Sequence, residues 1–161
     1  MLGENIPEKG TIFLRGRPLA DAVPGCIGWV PANGGLISNL KTWENITLPL
    51  WYHGKYMPRQ AEENVRRWLG ILKLDEGEWS DFMASQPALL ETWERKLAGL
   101  LRGLAQAPVL LVVDGALFDG VAEAVLQYWV QTLETFVREV EERAVLVITD
   151  QTALLPWRKI E

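Results

Sequence analysis

The stretch Leu90 to Gly115, LETWERKLAGLLRGLAQAPVLLVVDG, decides the fold. Trp93, Leu97, Leu100, Leu101 and Leu104 recur at helical spacing and make one apolar stripe. Ala98, Gly99, Gly103 and Ala105 stand among them and let the helix press closely against a sheet. Pro108 stops the helix, because it lacks a backbone N–H and clashes with the preceding turn. Val109 to Val113 then run without a polar interruption, as in a strand covered on both faces. Asp114 stands at the carboxyl end of that run, where open α/β sheets place ligand chemistry.

Downstream, Asp119 to Val140 predicts a long amphipathic helix. Ala122, Val125, Leu126, Trp129, Leu133, Phe136, Val137 and Val140 share one face. Ala144 to Ile148 predicts another buried strand, ended by Thr149 and Asp150, and Ala153 to Ile160 a short last one. Strand, helix and strand from Val109 to Ile148 form a βαβ unit, hence a parallel sheet with a right-handed crossover.

Upstream, Met1 to Gly10 reads as a connector punctuated by Pro7 and Gly10. Thr11 to Leu14 predicts a short strand and Arg15 to Pro18 a turn, with both arginines solvated. Cys26 to Val30 predicts a second strand, in which Cys26 is a small buried apolar residue. Pro31 to Gly35 breaks it into a plain loop. The period changes at Thr42, a helix cap followed by Glu44 in an acidic first turn. Pro49 kinks that helix, or the helix ends near it. Pro58 opens the next at a first-turn position. There Val65, Trp68, Leu69 and Leu72 face inward, and Glu62, Glu63, Arg66 and Arg67 face water. Asp75 to Gln86 is a short helix or loop. The fold class is α/β, one domain over residues 1–161, with a helical lobe inserted at about residues 42–95.

Bulk properties narrow the function. A chain of 161 residues with 48% apolar and 23% charged residues builds one core. Eight tryptophans must bury much of that surface. A net charge of -5 argues against nucleic acid as a partner. No stretch is long and apolar enough to span a bilayer, and the polar start, with Glu4, Asn5 and Glu8, is no signal peptide. The single Cys26 excludes an internal disulfide and fits a reducing cytoplasm. One cysteine and one histidine make no usual zinc site. His53, beside Trp51 and Tyr52 and without a nameable catalytic partner, is structural or on the surface.

The order of these features resembles the ATP-binding subunit of ABC transporters, nearest to those serving bacterial lipid-trafficking importers or exporters. Pro7 to Leu19 (PEKGTIFLRGRPL) is similar to the strand and turn after the family's phosphate-loop helix. Ile27 to Leu50 (IGWVPANGGLISNLKTWENITLPL) is similar to the Q-loop strand and the first lobe helix. Leu90 to Asp114 resembles the signature helix and Walker B strand, and Val145 to Asp150 (VLVITD) the switch strand. The fold so implied is an incomplete P-loop NTPase-like parallel sheet with an inserted helical lobe.

Each chemical position departs from that pattern. The phosphate loop G-x-x-x-x-G-K-[ST] occurs nowhere, and Met1-Leu2-Gly3 resembles the stretch downstream of it. The Q-loop Gln falls at Ala32. The signature Leu-Ser-Gly-Gly-Gln falls at Leu90, Glu91, Thr92, Trp93 and Glu94, where side chains fill a gap that the family leaves to bare backbone and a γ-phosphate. Glu91 and Glu94 set negative charge against a negative ligand. Walker B keeps Asp114, but the catalytic Glu falls at Gly115, which cannot take a proton from water. The switch His falls at Thr149, and Asp150 after it is retained.

The resemblance thus implies no catalytic residue, no metal and no resident cofactor. ATP and Mg²⁺ enter only if an upstream phosphate loop or a partner subunit supplies the site. Asp114, alone, is a structural cap or remnant rather than a Mg²⁺ ligand. Trp43, Leu48 and Trp51 fall where the family receives a permease's coupling helix, and aromatic residues are common interface anchors. The implied partners are a membrane permease, an active ABC subunit or a second copy, with the chain cytoplasmic or peripheral on the inner membrane face. Without the family's amino-terminal strands the sheet has an open edge, which favours self-association. Two alternatives remain: a fragment whose phosphate loop lies upstream, and a stand-alone α/β interaction or regulatory module.

Overall fold

The computed structural model describes residues 10, 11, 13, 14, 16–18, 23–52, 57–74 and 76–150. Most of the expected connector, Arg15, His53 and the strand expected over 153–160 lie outside them. A small hairpin comes first, β1 (Phe13–Leu14) antiparallel to β2 (Arg17–Pro18), so the expected turn is itself half of a strand pair. The main sheet follows: β3 (Ile27–Val30), β4 (Leu110–Asp114) and β5 (Ala144–Ile148), all parallel, with β4 in the middle.

Between β3 and β4 lie four helices. The first is α1 (Thr42–Tyr52), then α2 (Pro58–Ile71), α3 (Glu76–Ala84) and α4 (Thr92–Ala105). Pro58 is at the first position of α2, where its missing N–H has no helical partner to lose. Pro49 lies inside α1, near its last residue Tyr52. Thr42 is a helical residue rather than the cap. Its Oγ1 donates to Ser85 O at 3.0 Å, and the end of α1 is served instead by Glu44, whose Oε2 accepts from Lys41 N at 2.7 Å.

Helix α4 is the centre of the core. Leu97, Ala98, Leu100, Leu101, Leu104 and Ala105 are all buried on it. Each buried leucine is worth about 1.5–3 kcal/mol over an exposed one. It meets the sheet through a small residue: a Cβ built on Gly103 would lie 2.7 Å from Val30 Cγ2 and 2.9 Å from Leu111 Cδ1. The helix ends at Ala105. Ala107 then takes φ 50°, and its N–H donates to Leu104 O at 3.0 Å before buried Pro108 leads into β4.

Two expectations are corrected here. The helix expected over 119–140 is α5 (Glu123–Arg138), because Gly115–Phe118 form a 3-10 turn and Gly120, at φ 70°, breaks the chain before the helix starts. Ala122 and Val140 fall outside it and are exposed. Trp129, Leu133 and Phe136 remain its buried face. The second correction concerns β5, which is not a buried strand. Val145 and Val147 pack on the core, but Leu146 is 38% and Ile148 58% exposed. Period-2 alternation is the cause. Leu111, Val113, Val145 and Val147 belong to the cluster built with the helices, whereas Leu110, Leu146 and Ile148, on the other face, do not.

Candidate functional site

The carboxyl edge of the sheet collects the residues that the sequence singled out. Asp114 ends β4 opposite Ile148 of β5. Its Oδ1 accepts from Ala116 N at 3.0 Å, so the side chain caps the turn Gly115–Phe118. Gly115 is buried directly against Thr149, on the extension of β5. No carboxylate, imidazole or amide stands at either position. Ala32 lies beyond the end of β3, across β4 from Thr149, with only a methyl group to offer.

The second part of the site is the start of α4. Glu91 precedes its first residue in extended conformation, and its backbone N–H donates to Glu94 Oε2 at 2.7 Å. This is the side-chain half of a capping box, with the N3 carboxylate folded back over the helix end. The Glu91 carboxylate turns sideways and accepts from Trp93 Nε1 at 2.8 Å. Arg95 Nη1 donates to Leu90 O at 2.8 Å, and its Nη2 to Thr92 Oγ1 at 3.1 Å. The amino end of α4 therefore carries its own anions, which complement the positive end of the helix dipole and oppose an external one.

Lys96 joins the two parts. It is 8% exposed, and its Nζ donates to Ala116 O at 2.9 Å and to Asp119 O at 2.7 Å. Two carbonyls of the 3-10 turn and its end thus hold a buried ammonium, with no carboxylate among the described residues at hydrogen-bond distance. Between the start of α4 and this turn lies an open recess of about 460 Å³, walled by Glu91, Trp93, Lys96, Asp119 and Gly120 among others. Its rim mixes both signs of charge. Among the described residues no group of three or more His, Cys, Asp or Glu side chains could hold a metal ion.

Two residues that sequence reasoning passed over, Arg102 and Asn45, and one that it read as part of a plain loop, Gly34, position these parts. Arg102 donates to Gly35 O at 2.7 Å and to Gly34 O at 2.9 Å, which clamps the loop after β3 onto α4, and burial lowers its pKa from the usual arginine value. Gly34, at φ 79°, meets Gly99 backbone to backbone: a Cβ on Gly99 would lie 2.4 Å from Gly34 Cα. Asn45 is buried in α1, where its Oδ1 accepts from Ile37 N at 2.7 Å and its Nδ2 lies within bonding distance of the Ile37, Leu40 and Lys41 carbonyls. Only the polar type of Asn45 and Arg102 inside apolar helices signalled them.

The three residues expected at a partner groove divide. Trp43 turns inward and packs on the core. Leu48 and Trp51, one helical turn apart on α1, are 38% and 44% exposed. Among the described residues no helix is long and apolar enough to cross a membrane.

No family model matches the chain, and no curated protein does. Solved structures do. The ATP-binding cassette MJ0796, in a dimeric post-hydrolysis state bound to ADP and Pi, superposes with a TM-score of 0.75 at 20% identity, over 93% of this chain and 66% of that one. A second dimeric structure of MJ0796, a bacterial ABC transporter cassette, gives the same values. An ATP-binding subunit of an ABC transporter gives 0.71 at 17% identity, over 87% of this chain and 56% of that one. The chain thus spans less than two thirds of the first two structures' own length. It has the α/β fold of an ABC transporter ATP-binding cassette, in part.

Proposed function

We propose that this chain is a degenerate cassette subunit that does not hydrolyse ATP and acts by docking on a membrane permease or on an active partner cassette. One observation carries the catalytic half: the amino end of α4, where the family meets a γ-phosphate, is covered by Glu94, held at 2.7 Å from Glu91 N, and by Trp93 with its Glu91 partner. A phosphate brought there meets carboxylates instead of open N–H groups. Asp114 is engaged in capping the next turn, and Gly115 and Thr149, at the positions of the family's catalytic Glu and switch His, offer neither carboxylate nor imidazole. The purified chain should therefore release no phosphate from ATP above the level of Asp114→Ala. Turnover that this substitution abolishes would refute the proposal.

The docking half rests on Leu48 and Trp51, two apolar side chains set side by side in solvent on α1. The permease would belong to a lipid-trafficking transporter, with this chain on its cytoplasmic face. Co-purification with a multi-spanning membrane protein, lost in Leu48→Ala/Trp51→Ala, is the expected result. A stable monomer with no such partner would favour a stand-alone interaction module. The length comparison favours one alternative, that these residues are part of a longer nucleotide-binding cassette whose phosphate loop lies outside them. Reading the upstream DNA in frame decides it: a Gly-rich loop with a Lys supports the longer cassette, and none leaves the docking subunit.

A further inference from the structure

Strands β4 and β5 end side by side. Asp114 pairs with Ile148, so Gly115 and Thr149 leave the ladder next to each other. A Cβ built on Gly115 would lie 2.4 Å from Thr149 Cβ, 2.8 Å from Thr149 Oγ1 and 3.0 Å from Ile148 O. Carbon atoms in favourable contact stand about 3.5–4.0 Å apart. The obstacle is not the far end of a flexible side chain. Rotation about χ1 moves the Thr149 hydroxyl and methyl but leaves Cβ where the backbone holds it, and χ1 of a β-branched residue is itself stiff. Relief would require one strand end to shift against a ladder paired from Leu110 with Ala144 to Asp114 with Ile148.

We infer that Gly115 and Thr149 form one sterically coupled unit: with this backbone, position 115 accepts no side chain, a carboxylate included, while a residue with a Cβ stands at 149. The functional meaning rests on the proposed loss of hydrolysis. Gly115→Glu alone then destabilises the chain instead of restoring a base.

A double-mutant cycle on the full chain tests the coupling, with the folded-to-unfolded ratio measured by denaturant titration. Gly115→Ala should lower that ratio by about tenfold or more, the range of overpacked cores. Gly115→Ala/Thr149→Gly should be at least about fivefold more stable than the product of the two single changes. Gly115→Ala/Thr149→Ser, which keeps the Cβ, should show no such recovery. Where Gly115→Ala does not fold at all, folding of the Thr149→Gly double variant is the recovery. A neutral Gly115→Ala, effects that multiply to within about twofold, recovery by Ser equal to that by Gly, or a double variant that fails to fold while Thr149→Gly folds would each overturn the inference. ATP turnover by the unmodified chain is measured separately. Turnover defeats the proposed function and leaves the coupling standing; independent effects defeat the coupling alone.

Discussion

The two halves of α4 obey different rules. From Leu97 to Ala105 nearly every side chain is buried, and apart from Arg102, which bonds the Gly34 and Gly35 carbonyls, the side chains pack through apolar contacts. From Glu91 to Glu94 the residues are exposed or half-exposed, and what holds them is a short chain of hydrogen bonds to one another. The fold depends on the first half, because dense packing cannot be changed at one position without a void or a clash. The second half sits at the surface, where residue types change at little cost in stability. The packed half of α4 can therefore stay fixed while residue types at its exposed end vary.

Four substitutions sharpen or break that contrast. The largest effect belongs to Leu101→Ala, which empties a fully buried site on α4. It should cost about 3–5 kcal/mol by denaturant titration, and a loss below about 1 kcal/mol would show that the core is not close-packed there. Gly99→Ala comes next, because its Cβ would meet the Gly34 backbone. A cost of about 1–3 kcal/mol is expected, and a Tm equal to that of the unmodified chain would mean that the loop after β3 simply moves aside. In the other half, Glu94→Ala removes the carboxylate at Glu91 N and should cost about 1 kcal/mol. A loss as large as that of Leu101→Ala would erase the contrast. The smallest change is at the end of α4, where Ala107 holds φ 50° at the expense of steric strain. Ala107→Gly should raise stability by up to about 1 kcal/mol, measured as a higher denaturant midpoint, and a lower midpoint would show that the entropy lost by glycine outweighs the relief.

The elements were legible in unequal measure, for identifiable reasons. The period of Leu97, Leu100, Leu101 and Leu104 exposes α4 in the sequence, and the run before Asp114 exposes β4, since both patterns depend only on neighbours along the chain. The same run of apolar residues in Ala144 to Ile148 misleads. Apolar composition says that a strand can be covered on both faces, not that it is, and Leu146 and Ile148 lie on the face that the core cluster does not include. The cap of α1 misleads for a related reason. Thr42 is a good cap by type, but α1 and the end of α3 are close enough for Ser85 O to take its hydroxyl. In the site, the family resemblance singled out Gly115 and Thr149. That they touch could not be read there, because it depends on the register of β4 with β5.

By itself, the sequence determined the helix and strand of Leu90 to Gly115, the parallel βαβ unit, and the residue types that stand after each strand. Periodicity and side-chain chemistry are local, and a glycine has no base to offer in any fold. Tertiary structure alone decided how those residues meet: Lys96 held by two carbonyls after β4, Arg102 drawing the glycine loop onto α4, and Thr149 seated on Gly115. Each is a contact set by the register of strands or the packing of a helix on a sheet, and such contacts are fixed only when distant parts of the chain are brought together.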